Sequence, residues 1–137
     1  MKKILLIIVT LMLLTLNAQA ANQKYVIQIS TDNARTQKIV LNNVANLQKH
    51  YGIDNVDVEI VAYGPGLSLL TQSNKNADRV ESMAMNNIIF SACHNTMKAV
   101  KRKKGKFPTL TDGVNIVPFG VVRIGELQQQ GYSYIRP

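Results

Sequence analysis

NNIIFSACHNTMKAVKRKKGK, residues 86–106, joins a predicted strand to a predicted helix. Residues 88–90, Ile-Ile-Phe, form a short apolar run that is typical of a strand buried on both faces. Residues 95–104 have helix-forming composition, and the glycine that follows, Gly105, is the residue type that most often ends a helix. The order of these segments predicts that Cys93 lies where a buried strand passes directly into a helix.

Cys93 is the one cysteine in the 137 residues. At such a junction, free backbone N–H groups and the positive end of the helix dipole favour an anion, which makes Cys93 a candidate thiolate of lowered pKa. Unpaired cysteines are also among the most buried residue types and often serve as small apolar fillers. Position alone leaves both roles open. A single cysteine cannot form an intramolecular disulfide, so the chain is not a disulfide-stapled scaffold.

Residues 1–20 have the pattern of a secretory signal peptide. Two lysines precede an apolar segment at residues 4–16, and Ala-Gln-Ala at residues 18–20 matches the small-residue cleavage pattern. The apolar segment is shorter than the roughly 20 residues that span a membrane comfortably. We therefore predict cleavage after Ala20 and a periplasmic or secreted protein with one domain, residues 21–137.

The predicted mature chain is moderately basic. The full sequence carries +8, and because Lys2 and Lys3 fall within the predicted signal peptide, residues 21–137 carry +6. For an exported protein, this charge favours anionic lipid head groups, acidic proteins or small anions as partners, and not nucleic acid. A basic run closes the predicted helix: Lys101, Arg102, Lys103 and Lys104. Cations there complement the helix dipole, which favours a solvated face; contact with an anionic membrane surface is the functional alternative.

Strands and helices alternate along the rest of the chain. Apolar and β-branched runs predict further strands at residues 25–29, 56–63, 114–117 and 132–135. Apolar residues at helical spacing predict helices that end at Tyr51, at Met85 and at Gln130. This alternation predicts a three-layer α/β/α domain with a mostly parallel sheet of about five strands.

Ligands of parallel sheets gather at the carboxyl ends of the strands. Cys93 lies at one such end. The predicted pocket consists of residues that follow the other strand ends: Ser30, Thr31, Asp32, Gly64, Gly66, Phe119 and Gly120. No cofactor is predicted, and no metal site, because one cysteine and two separated histidines lack the clustered spacing of zinc ligands.

Four motifs follow one another along the chain: GPGL at 64–67, FSAC at 90–93 with NTM at 95–97, VPFGVVRI at 117–124 with ELQ at 126–128, and GYSYIRP at 131–137. In this order they resemble the DsrE/DsrF/DsrH-like family, in its branch of small exported members. The resemblance implies a single α/β domain and assembly into homotrimers or larger rings, a trimer or hexamer. It also implies a cysteine that carries sulfur as a persulfide between proteins, at the position of Cys93.

The sulfur-carrier hypothesis gives roles to the neighbours of Cys93. The helix N-terminus and Asn95 would stabilise the thiolate, with His94 as a proton partner. Adjacent residues seldom align their side chains for a direct dyad, so His94 is alternatively a solvent-facing loop histidine. A cysteine hydrolase is disfavoured because His94 is poorly placed and His50 lies at the opposite end of its helix.

A second hypothesis is a non-catalytic, oligomeric binding module for a small anion or a protein partner, which would occupy the same pocket. Cys93 would then be a filler, and its replacement by serine would spare binding. A sulfur carrier would instead lose transfer entirely.

Overall fold

The computed structural model describes residues 22–137. The predicted signal peptide lies outside the described residues. The five strands of the described part are β1 (Gln23–Ile29), β2 (Val56–Ala62), β3 (Ile88–Cys93), β4 (Val114–Val117) and β5 (Ser133–Ile135). Its α-helices are α1 (Ala34–Tyr51), α2 (Ala77–Met85), α3 (His94–Lys104) and α4 (Gly120–Gln129), and short 3-10 helices span Ile53–Asn55 and Gly64–Leu70. Within residues 22–137, no helix has the length and apolarity needed to cross a membrane.

All five strands are parallel and lie in the order β4-β3-β2-β1-β5. β2 is central, and its Ile60 pairs with Ile27 of β1 on one side and Phe90 of β3 on the other. All three side chains are fully buried. The predicted fold class is confirmed, and the carboxyl ends of the strands meet at one edge of the sheet.

The two faces of the sheet are covered unequally. Helices α1 and α2, the Gly64–Leu70 segment and Met97 of α3 pack on the face that contains Ile27, Ile60 and Phe90. The other face is covered by α4, whose Ile124 and Leu127 pack on Val26 and Val61. This arrangement gives the three layers, with a large core on one side of the sheet and a small one on the other.

One burial prediction is wrong. Ile89 was expected to lie within a strand buried on both faces, but its side chain is 40% exposed. Ile89 shares a sheet face with Ser91 and Cys93, because side chains alternate along a strand. On that face α4 packs through Ile124 and Leu127, and Ile89 is not part of the small core that they form. Ser91 and Cys93, further along the strand, are buried.

Helix α1 ends where the sequence predicts, and residues at both of its ends stabilise it. The Asn33 side chain accepts hydrogen bonds from the backbone N–H groups of Arg35 and Thr36, both at 3.0 Å, and so caps the first turn. At the other end, Gly52 adopts a φ of 91°, which residues with a Cβ rarely adopt. The predicted amphipathic helix ending at Tyr51 is confirmed.

Candidate functional site

Cys93 ends β3 and immediately precedes α3. The predicted strand-to-helix junction is therefore confirmed. The side chain is 5% exposed and lies on the α4 side of the sheet. Cys93 pairs with Val117, the last residue of β4, so the ends of two adjacent strands frame the thiol. A buried thiol at this position needs polar neighbours if it is to ionise.

Four hydrogen-bond donors surround the Cys93 sulfur. Burial raises the pKa of the thiol, but the Thr96 hydroxyl and the backbone N–H groups of Gly120, Thr96 and Asn95 together lower it further. The pKa of Cys93 consequently lies below the ordinary value for a cysteine, which favours the thiolate. Thr96 and Asn95 belong to the first turn of α3, and Gly120 begins α4. Two helix N-termini therefore converge on one sulfur atom.

His94 and Asn95, the two residues that follow Cys93, contact different parts of the molecule. The backbone N–H of Asn95 also donates to the Pro118 carbonyl oxygen at 3.2 Å, which joins α3 to the end of β4. Its side chain is exposed. The imidazole of His94 stacks on the Phe107 ring, with ring centroids 6.1 Å apart. The predicted role of His94 as a proton partner of Cys93 stays a prediction.

Gly120 allows α4 to begin close to the thiol. A Cβ atom at this position would lie 3.4 Å from the Cys93 Cβ and 3.1 Å from two side-chain atoms of Tyr63. These distances are tighter than ordinary van der Waals contacts, so any larger residue would move α4 away from Cys93. The adjacent Phe119 is 51% exposed. Gly120, one of the predicted pocket residues, thus lies directly against Cys93.

The other predicted pocket residues gather at the ends of β1 and β2. Gly66 packs against β1 so closely that a Cβ would lie 2.2 Å from the Ile29 carbonyl oxygen, and 2.7 Å from the Ser30 nitrogen. Gly64 donates its N–H to the Thr96 hydroxyl at 2.9 Å, which links the end of β2 to the first turn of α3. Gly64 therefore lies beside the Cys93 site, and Gly66 lies against the end of β1.

Thr31 and Asp32 belong to the loop that leads into α1. The Thr31 hydroxyl accepts a hydrogen bond from the Asn33 N–H at 3.2 Å, so it supports the helix cap. Asp32 is exposed in the same loop. This loop directly follows the end of β1, and Thr31 accepts from the cap residue Asn33 and from Gln37 of α1. The role of Thr31 and Asp32 in a pocket stays a prediction.

A cavity of about 600 Å³ opens beside this site. We call it the basic groove. Its lining residues are Gly64, Pro65, Leu67, Ser68, Thr71, Gln72, Ser73, Val100, Lys104, Lys106, Phe107, Pro108 and Thr109. Gly64 is the one predicted pocket residue among them, and Cys93 does not line the groove. Two features of the sequence could have located it: the apolar run at residues 67–70, and Phe107 shortly after the basic run.

Comparisons with known proteins agree with this fold. The DsrE/DsrF-like family model matches residues 23–137. A solved structure of a protein of unknown function, MTH1491 from Methanobacterium thermoautotrophicum, is 30% identical, with a TM-score of 0.77 over 85% of this chain and 100% of that one. The ychN protein from E. coli shares the fold at 16% identity, with a TM-score of 0.66 over 84% of this chain and 99% of that one. No curated protein matches significantly.

Proposed function

The chain belongs to the DsrE/DsrF-like family, and we propose that Cys93 carries sulfur as a persulfide between a donor and an acceptor protein. The observation that supports this best is the group of four donors that lowers the pKa of the Cys93 thiol. The thiolate is the form that attacks sulfur, so a site that stabilises it prepares the residue for transfer.

The proposed reaction conserves atoms and electrons. The Cys93 thiolate attacks the terminal sulfur of a persulfide or polysulfide donor, the donor's sulfur–sulfur bond breaks, and the donor leaves as a thiolate or a shortened polysulfide. Cys93 then holds the transferred sulfur as a persulfide anion. An acceptor thiolate attacks that outer sulfur, and the Cys93 thiolate is the leaving group. No external oxidant or reductant is needed, because the sulfur moves at the same oxidation level.

Loading requires access to a side chain that is 5% exposed. Gly120 lies against Cys93 and Tyr63, so the start of α4 covers the thiol. In this proposal, the segment that includes Phe119 and Gly120 shifts to admit the donor sulfur. The hydrogen bonds from Thr96 and Asn95 belong to α3 and persist during this shift, which keeps the thiolate stabilised.

Transfer to an acceptor tests the carrier role. Protein loaded with inorganic polysulfide and desalted is mixed with a low-molecular-weight thiol, and the thiol persulfide formed is quantified by mass spectrometry. We expect up to one sulfur per chain to be transferred by the wild type and none by Cys93→Ser. Equal transfer from both proteins would refute the role of Cys93.

A second function is a non-catalytic binding module for a small anion or protein partner. The observation that favours it is that Cys93 is buried, whereas the basic groove beside it is open and is not lined by Cys93. In this case Cys93→Ser leaves ligand binding unchanged, and the folded protein does not accept sulfur. The same pair of proteins therefore separates the two functions.

We also propose that the chain forms a homo-oligomer, a trimer or hexamer as the family resemblance implies. Large apolar side chains are exposed around the junction of β4 and α4: Ile116 (55%), Phe119 (51%), Val121 (66%) and Val122 (51%). We call these four residues the apolar patch. Neighbouring exposed apolar side chains are typical of interaction surfaces.

Export is the remaining part of the proposal. The charge and hydropathy pattern of residues 1–20 supports cleavage after Ala20 and a periplasmic or secreted location. Intact mass of the protein recovered from the periplasm of a Gram-negative host tests it. A chain that begins at Ala21 is expected; uncleaved protein retained in the cytoplasm would contradict it.

A further inference from the structure

We propose that the basic groove binds a small organic anion that has an apolar body. This proposal does not depend on the reactivity of Cys93, which does not line the groove. The volume of about 600 Å³ lies within the range of small-molecule sites. The site would bind its ligand by contacts with residues that the persulfide reaction does not use.

The walls of the groove are fixed by backbone hydrogen bonds. One wall is the Gly64–Leu70 segment with the turn that follows it, and another is the loop after α3. The Gln72 N–H donates to the Thr109 carbonyl oxygen at 3.1 Å, and the Thr111 N–H donates to the Leu70 carbonyl oxygen at 2.9 Å. These bonds join the two walls at one end, so the groove is formed before a ligand arrives.

Phe107 forms an apolar side of the groove and is held in place by its neighbours. The Lys101 ammonium lies 4.6 Å from the centre of the Phe107 ring, in cation–π geometry. The His94 imidazole stacks on the same ring. With Leu67, Val100 and Pro108, the ring gives the groove an apolar lining that an aromatic or aliphatic group can contact.

The charged groups of the groove are cationic. Lys104 and Lys106 line it, and no Asp or Glu does so among the described residues. Within residues 22–137, neither lysine forms a salt bridge. The carboxyl end of α3 contributes roughly half a negative charge, and the four cations of its last turn outweigh this. The groove therefore favours a negatively charged ligand.

Polar side chains also line the groove and can bind the charged group of the ligand. Ser68, Thr71 and Ser73 contribute side-chain hydroxyl groups to the lining. The Ser68 hydroxyl accepts from Gln37 at 2.9 Å and keeps its own proton to donate, whereas the Thr71 hydroxyl donates to the Ser68 carbonyl oxygen. A carboxylate or sulfonate can pair with the ammonium groups and accept from the Ser68 hydroxyl, while its apolar body contacts Phe107 and Leu67. An inorganic anion would leave the apolar lining without a contact, so this lining favours an organic anion.

Anilinonaphthalene sulfonate is a suitable probe, because it combines an aromatic body with one negative charge and fluoresces when bound. Its uncharged analogue, phenylnaphthylamine, has the same aromatic body without the sulfonate. Fluorescence titration gives the Kd, and amide shifts in two-dimensional nitrogen–proton NMR spectra give the location. We expect the largest shifts at Leu67, Ser68 and Phe107, and weaker binding of the uncharged analogue.

Charge variants complete the test. Replacing both Lys104 and Lys106 by glutamine should raise the Kd of the sulfonate about five- to tenfold, since exposed ion pairs contribute modestly. The matched control replaces Lys38 and Lys49, exposed lysines of α1, and should leave the Kd unchanged. Equal Kd values in the two double variants, or amide shifts confined to the apolar patch, would overturn the proposal.

Discussion

The backbone N–H of Gly64 donates a hydrogen bond to the Thr96 hydroxyl at 2.9 Å, and hydrogen bonding of the same hydroxyl to the thiol lowers the pKa of Cys93. A threonine hydroxyl has a single proton to donate. Because Gly64 occupies an acceptor position of the Thr96 oxygen, the proton is free to point at Cys93. Gly64, which follows β2, thus orients the Thr96 hydroxyl of α3 toward the Cys93 thiol at the end of β3.

Removing the Thr96 hydroxyl should raise the pKa of Cys93. Thr96→Val keeps the shape of the side chain but removes the donor to sulfur, so the thiolate loses stabilisation. It also leaves the Gly64 N–H without its partner, at a cost of about 1–3 kcal/mol in the free energy of unfolding. The pH dependence of iodoacetamide alkylation measures the pKa. Thr96→Ser, the matched control, should titrate like the wild type; an unshifted profile for Thr96→Val would show that the hydroxyl has no effect.

The stability of the protein should depend on pH through Cys93. Its pKa is lower in the folded chain than in the unfolded chain, so the unfolded state binds more protons between the two values. The contribution of Cys93 to the free energy of unfolding is therefore fully present above the unfolded pKa. It is lost as the pH falls through the folded pKa. Urea unfolding of the wild type and of Cys93→Ser measures this contribution. The free energy of unfolding of the wild type should rise relative to that of the variant as the pH rises from the folded pKa to the unfolded pKa of Cys93. A difference independent of pH would contradict a lowered pKa.

The two glycines of α4 should respond oppositely to alanine. Gly120→Ala places a Cβ 3.1 Å from two Tyr63 side-chain atoms, so Tyr63 or α4 must shift by a few tenths of an ångström. We expect α4 to shift, which takes the backbone N–H of residue 120 away from Cys93. We expect lower stability and a higher pKa of Cys93. Gly125 has open space at its Cβ position, so Gly125→Ala should stabilise the helix by about 0.5–1 kcal/mol and leave the pKa unchanged. Thermal unfolding and alkylation rates measure both effects. Identical behaviour of the two variants would show that Gly120 does not control the approach of α4.

A buried ion pair should hold α4 on the sheet. Glu59 is 1% exposed and accepts from Arg123 at 2.9 and 2.7 Å, and from the Ser91 hydroxyl at 2.6 Å. Arg123→Met leaves the Glu59 carboxylate without its cation, so we expect a loss of about 3–5 kcal/mol in the free energy of unfolding. Chemical denaturation measures it.

Glu126 provides the control for this ion pair. It lies 3.7 Å from Arg123 and its side chain is 53% exposed. Glu126→Gln should change stability by less than about 1 kcal/mol, because exposed pairs contribute little. Similar losses in Arg123→Met and Glu126→Gln would show that burial of Glu59 does not set the cost.

The apolar patch should mediate self-association. Val121→Glu places a charge at the most exposed of its four side chains and should reduce the molar mass observed by light scattering. Ile39→Glu, a similar change at a 40% exposed position on α1, should leave the molar mass unchanged. A wild-type protein that is a stable monomer would contradict the proposed oligomer.

Sequence periodicity was sufficient for the fold. The apolar runs at residues 25–29 and 114–117 predict strands, and both are strands in the structure. The alternation of strands with amphipathic helices predicts their parallel arrangement. The position of Cys93 followed from the same pattern. The exposure of Ile89 could not be predicted in this way, because an apolar run indicates a strand but not which of its residues a helix covers.

The polar contacts of the site depend on residues far apart in the chain, so local patterns could not predict them. Thr96 meets Gly64 across 32 positions, and Arg123 meets Glu59 across 64. Asp57 and Glu59 alternate with apolar residues on β2, and nothing local distinguishes the buried Glu59 from its less buried neighbour. Which donors reach the Cys93 sulfur is likewise decided by where α4 begins in space.

The sulfur-carrier function requires that the folded protein takes up sulfur on Cys93. The intact mass of native protein after incubation with inorganic polysulfide and desalting, beside Cys93→Ser, measures this uptake. We expect a gain of one sulfur atom in the wild type, its removal by a reducing thiol, and no gain in the variant. Wild-type protein that stays unmodified when folded, and whose Cys93 reacts only after denaturation, would contradict it.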